Sequence, residues 1–439
     1  MRVVLEFVLG SAAILGLGAS AWAATWAVRY DLPAAHGVTV DRTSSGGFVT
    51  ATVDSVTSGI LVVAVQADGS PAWQRLLVGT GRATGFPILR ASGDGGYFIA
   101  DSVVGSGGGW AKLLLARLDA EGAIVWQRTS STLEASAWAS DVLRLADGGC
   151  LVVAMISTND STKLWLTRTD GAGGTVWSKT FDAPGTELGG HAIELPNGDL
   201  VIASATSKPP AGLSASGLVF RIGADGSLRW QRSIEGPTRI ELTAVAVTPT
   251  GEILTAGSIG NNGQSNGQPA ALLVRLSGQG GLIGSRAYRG PSRFDAMALG
   301  PEGRIVLAGQ TFQGIEPADG LVVITDAAGA PIVASLHGGA GRDALEGITP
   351  DGEGGFVVSG LASASFDANP NLLVERLDAS GLIGSGCPWT LPRSVDADTR
   401  PLSARTTSIA VAPFVPAPSA LSLSDGSASV PGQILCSAP

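Results

Sequence analysis

Short apolar runs alternate with Gly-bearing turns along most of the chain, and the alternation is periodic. One element is a turn Gly leading directly into an apolar run. It reads Gly46-Gly47-Phe48-Val49, Gly95-Gly96-Tyr97-Phe98, Gly148-Gly149-Cys150-Leu151, Gly198-Asp199-Leu200-Val201, Gly251-Glu252-Ile253-Leu254, Gly303-Arg304-Ile305-Val306 and Gly354-Gly355-Phe356-Val357. Successive copies lie 49, 53, 50, 53, 52 and 51 residues apart. A second element keeps the same phase: an apolar run, a Gly turn, then Trp four residues on, as in Gly69/Trp73, Gly122/Trp126, Gly173/Trp177 and Gly226/Trp230. Gly280, Gly329 and Gly381 keep the turn without the Trp. Arg stands five residues before the turn Gly at Arg117, Arg168, Arg221, Arg275 and Arg376.

Such runs, rich in β-branched and apolar residues and bounded by Gly and Asp, predict strands. The repeats carry no helical periodicity. Each unit reads strand, Gly turn, strand, variable loop, strand, Gly turn, strand. Four short strands repeated seven times predict an all-β fold, a seven-bladed β-propeller of four-stranded antiparallel blades. A lone sheet of this kind cannot bury both faces, so neighbouring blades must cover it. That accounts for strands apolar at successive positions. Trp26 falls 20 residues before Gly46, close to the 21 or 22 that separate the other Trp residues from the next turn Gly. Residues 25–30 are therefore expected to complete the last blade, closing the ring and removing a free edge.

The repeat spans 24–389. Before it, Arg2, an apolar run from Phe7 to Leu17 and the tripeptide Ala21-Trp22-Ala23 have the layout of a cleaved signal peptide, 1–23. Export to the periplasm or the extracellular space is expected. After it, 390–439 holds Ser, Ala and Pro without the repeat and is read as a small C-terminal β appendage or a tail. Cys387 and Cys436 bracket that segment, and in an exported chain they are expected to form a disulfide. Cys150, inside an apolar run, is expected in the core.

Ala224-Asp225-Gly226-Ser227-Leu228-Arg229-Trp230 and Ala120-Glu121-Gly122-Ala123-Ile124-Val125-Trp126 resemble the tryptophan-docking strand of quinoprotein-like propellers. With Asp94-Gly95-Gly96-Tyr97, residues 25–388 resemble the secreted bacterial β-propeller repeat proteins. The resemblance implies an architecture shared by many functions. Quinone-dependent enzymes of that superfamily use adjacent cysteines and a carboxylate-bound calcium. No two cysteines are adjacent here, so that activity is not carried over.

The chain has 62 Gly, 15% charged residues and a net charge of -9. High apolar content with low charge excludes disorder, and the acidic balance argues against a nucleic-acid partner. Gly263-Gln264-Ser265-Asn266-Gly267 matches a hydrolase nucleophile pattern but lacks the strand-to-helix context. His36, His191 and His337 have no metal-ligand spacing. Neither a metal nor a cofactor is expected.

Successive strands are antiparallel, so the tight Gly turns share one face of the disc. The variable loops 103–111, 206–216, 258–270, 310–320 and 361–371 share the other. Binding residues concentrate on variable loops over a rigid scaffold. Trp110, Trp138, Phe294, Asp295, Phe312 and Asp343 lie on that face or on strands leaving it and form the candidate ligand-binding set, suited to a glycan or a protein. The expected function is a monomeric, non-catalytic binding or interaction scaffold. The alternatives are a propeller enzyme acting on carbohydrate or lactone at the axis, and a cell-surface structural protein.

Overall fold

In the computed structural model, residues 24–438 are described except 32–38, 80, 85, 133, 159–160, 184, 208–214, 261–268, 291, 314–315, 364, 366–368, 385–386, 408–409, 414–416, 419–422 and 428–431. The signal-like segment, His36 and the motif around Ser265 lie outside the described residues. Seven antiparallel sheets form the ring. The first blade is built from Thr39–Arg42, Phe48–Asp54, Gly59–Val65 and Pro71–Gly79. Blades 3 to 6 repeat this plan, with inner strands Ser136–Arg144, Thr186–Glu194, Ile240–Val247 and Ser292–Leu299. In blade 2 the inner strand is split into Gly81–Ala83 and Ile88–Ala91. Blade 7 takes Asp343–Pro350, Phe356–Ala362 and Asn371–Leu377 from its own repeat and Thr25–Tyr30 from the N-terminus. Trp26 pairs with Arg376 there, so the N-terminal strand closes the ring.

The repeated turns have one chemistry. Asp119 accepts hydrogen bonds from the N–H groups of Glu121 (3.1 Å) and Ala123 (2.8 Å), and Gly122 takes φ +80° to turn the chain back. Asp170, Asp326 and Asp378 make the same loop. This is ordinary Asp-Gly turn chemistry.

The Trp–Gly pairing of the repeat works between blades. Trp26, Trp126, Trp177 and Trp230 donate their indole N–H to a turn carbonyl of the next blade: Ala67 at 3.0 Å, Gly171 at 3.1 Å, Ala224 at 2.8 Å and Gly278 at 3.3 Å. The turn Gly two residues later lies against the ring. A Cβ at Gly122 would stand 2.5 Å from Trp73, and one at Gly173 2.9 Å from Trp126. We therefore expect Gly173→Ala to cost about 2–3 kcal/mol, from left-handed backbone strain and displacement of Trp126. A shift of the urea midpoint at constant slope measures it; an unchanged midpoint refutes it.

The repeated Arg serves the same turns. Arg168, Arg221 and Arg376 donate to the very carbonyls that receive the indoles, those of Ala224, Gly278 and Ala67. Each also pairs with an acid on the first turn of its own blade: Asp147 at 2.7 Å, Asp199 at 2.7 Å and Asp351 at 3.1 Å. Arg117 with Asp94 and Arg275 with Glu252 continue the series. A cation lies over the Trp ring from the residue two places after it, as in Arg128, Lys179 and Arg232.

The C-terminal residues are β, but they do not fold on themselves as an appendage. They wrap the rim. Thr390–Arg393 joins the outer edge of blade 6, Ala397–Thr399 blade 5, Ser403–Arg405 blade 4 and Ala410–Pro413 blade 3. Ala417–Pro418 then joins blade 2, Leu423–Ser427 blade 1 and Gly432–Ala438 blade 7. Each blade thus gains a fifth strand, and the belt runs around the ring against the order of the blades. Cys387 and Cys436 are joined, with Cα atoms 6.0 Å apart, and clasp the belt into a closed hoop. Cys150 is buried and unpaired; its Sγ lies 3.2 Å from the Thr169 hydroxyl, and burial pushes the thiol up to about 12.

Candidate functional site

Two concavities follow from how the inner strands are built. In blades 3, 5, 6 and 7 the inner strand carries a bulge, one residue more than its partner, at Ser140, Thr243, Asp295 and Glu346. The extra residue re-aims a side chain. All four line an axial cavity of about 280 Å³, with Asp41, Arg90, Asp141 and His191.

The axial lining is acidic, with Asp41, Asp141, Asp295 and Glu346 against Arg90. Asp141 accepts from the N–H groups of Val142 (2.9 Å) and Ala192 (3.0 Å), and Arg90 lies 3.5 Å away. Asp295 pairs with Arg293 at 2.8 Å; burial nonetheless raises its pKa against that attraction. His191 Nδ1 is 4.0 Å from Asp141, beyond hydrogen-bond range, and burial lowers its pKa.

The second concavity, about 430 Å³, opens between blades 2, 3 and 4 on the variable-loop face. Its origin is the split inner strand of blade 2. Ala83 pairs with Val103 and Ile88 with Ala100, so residues 84–87 span only Asp101 and Ser102. Pro87 has no N–H to give the ladder. The interruption carries Phe86 outward, 62% exposed, and opens the flank of Asp101. Trp138, Met155 and Leu188 complete the apolar walls, and Glu187 enters from blade 4.

Both acids are 1% exposed. The N–H groups of Ser102 (2.7 Å) and Phe86 face Asp101, while its Oδ2 closes no hydrogen bond among the described residues. Glu187 Oε1 accepts from the Ala183 N–H at 2.9 Å, and Oε2 is likewise unengaged. Burial disfavours the charged form, pushing Asp101 up to about 7 and Glu187 up to about 8.

No protein-family model matches the chain, and no curated protein matches it either. Solved structures do resemble it. The polysaccharide lyase Uly1 matches over 78% of this chain and 90% of its own, with TM-score 0.51 at 9% identity. A protein of unknown function from Dyadobacter fermentans matches over 80% and 97%, with TM-score 0.45 at 12% identity. A puromycin hydrolase matches over 80% of this chain and 52% of its own, with TM-score 0.49 at 14% identity. At these identities the likeness concerns the fold alone.

The six candidate residues do not form one patch. Trp138 lines the pocket between blades, whereas Asp295 lines the axial cavity. Phe294 is fully buried and packs edge-on against Tyr288 with centroids 5.1 Å apart. Asp343 is buried too, accepting from the N–H groups of Gly339 (2.9 Å) and Ser363 (3.2 Å), with burial pushing it up to about 7. Trp110 is 44% exposed in the loop after Gly105, and Phe312 is half-buried beside Pro317 in the ladder of blade 6. Asp101 and Glu187 were not among the candidates; each lies within a strand, at Tyr97–Gly105 and Thr186–Glu194, and not in a variable loop. The chain has no helix among the described residues long and apolar enough to cross a membrane.

Proposed function

We propose that the protein is an exported, non-catalytic binding propeller whose ligand, a glycan, enters the Trp138 pocket. One observation carries the reading: a Trp wall stands beside two buried carboxyl groups, each with an oxygen unengaged. A sugar ring presents an apolar face and a hydroxyl edge, and an aromatic wall with a few polar groups matches both. The disulfide is compatible with an oxidising location, and the signal-like N-terminus supports export.

Titration of glycans into the mature chain by calorimetry tests this. Trp138→Ala should weaken binding by on the order of tenfold or more, as for other central aromatic contacts. Equal affinity in the variant removes the pocket from the reading. The second reading, catalysis at the axis, is favoured by the convergence of His191, Asp141 and Asp295 there. It requires a turnover that His191→Ala abolishes and Trp138→Ala leaves intact.

A further inference from the structure

The described walls of the Trp138 pocket hold two carboxyl groups and no lysine, arginine or histidine. Of the other buried acids, Asp351 has Arg376, Asp141 has Arg90 and Glu375 has the His337 ring, whereas Asp343 is held by backbone amides. The charged groups acting on Glu187 are Asp182 and Lys163, which pair with each other at 2.7 Å. The influences on Asp101 are burial and the amides of Ser102 and Phe86. Neither acid therefore has a counter-charge of its own.

We propose that the pocket binds an organic ammonium ion, such as the amino group of a sugar or a methylated amine, with Trp138 and Phe86 against the cation and Asp101 and Glu187 as its counter-charges. The inference rests on reading this pocket as the ligand site. An aromatic face attracts an ammonium ion, most strongly when water is excluded. A hard inorganic cation needs about six oxygen ligands, which these mainly apolar walls do not offer. No cluster of three metal-ligating side chains occurs among the described residues.

The proposal fixes the sign of a pH dependence. Without a cation beside them, both acids are held protonated up to about 7 and about 8. A bound cation favours their ionised forms, so binding releases protons and strengthens as pH rises through that window. A neutral ligand accepting hydrogen bonds from the protonated acids would weaken over the same range.

Choline and its uncharged isostere dimethylbutanol separate the cases, because choline keeps its charge at every pH. Calorimetry on the mature chain should show choline tightening about tenfold between about pH 6 and about pH 8.5, with dimethylbutanol much weaker. Asp101→Asn and Glu187→Gln should each flatten that rise, with the unfolding midpoint confirming that the variants are folded. Glucosamine against glucose then tests whether a sugar supplies the ammonium group. Dimethylbutanol binding as well as choline, or a choline affinity flat or falling with pH, overturns the charge inference. If glucose binds in a Trp138-dependent manner and choline does not, only the charge inference fails. If no probe or glycan gives a signal that Trp138→Ala alters, the pocket reading fails with it.

Discussion

Cys436→Ser is expected to lower the stability of the chain by about 4 kcal/mol, the loop-closure contribution for a bridge spanning 49 residues. Apart from the clasp, the belt is held by short ladders, a few ion pairs at the surface and small apolar contacts. Its strands are short, two residues on blade 2 and three on blades 4 and 5. Several side chains turn to solvent, Leu391 at 56% exposed and Ile434 at 68%. What the belt contributes is mainly backbone pairing, which covers part of the outer edge of every blade. The clasp keeps those short ladders from peeling away in sequence. Denaturant unfolding of the non-reduced protein against the variant gives the size of the effect, and limited proteolysis should release the C-terminal segment from the variant first. Coincident unfolding curves would show that the ladders alone suffice.

Glu375→Ala should cost about 3–5 kcal/mol, the penalty for breaking a buried pair and leaving its partner exposed to no compensation. Glu375 and His337 have fully buried side chains, joined Nδ1 to Oε2 at 2.7 Å. The other ring nitrogen meets the Ser335 hydroxyl at 2.8 Å, and that hydroxyl donates to the Gly381 carbonyl at 2.9 Å. The Trp389 indole donates to the second oxygen of Glu375. The network therefore ties the outer strand of blade 6, the third strand of blade 7 and the start of the belt. Because these groups act as a unit, His337→Ala combined with Glu375→Ala should cost far less than the sum of the two single changes. Additive losses in urea unfolding would show that the side chains contribute separately.

The ring was legible because its determinants are repeated side chains at fixed phase. Trp126 and Gly173 appear in the sequence as members of two series, and the structure shows them to be one contact between blades. Asp101 was legible in principle. At its place in the second strand the other blades have Thr52, Ala154, Ser204, Gly257, Gly309 and Gly360. Three are Gly because an inner-strand carbonyl crowds the site: a Cβ at Gly257 would stand 2.0 Å from the Glu241 oxygen. Blade 2 breaks its inner strand there and admits a carboxylate instead. The belt was not legible. Its partners lie up to hundreds of residues away, as Ser424 does from Val78, and they meet largely through backbone groups that every sequence possesses. The side chains that add to it, such as Asp398 against Arg289 and Arg405 against Glu235, carry no repeat that would mark their partners in the sequence.

The clasped belt also fixes where the ends of the disc lie. Its last strand runs antiparallel beside the first strand of the propeller, with Thr25 opposite Ala438. The polypeptide thus enters and leaves at one point on the circumference. Whatever is joined to Thr25 and whatever is joined to Ala438 therefore meet the wheel at the same blade.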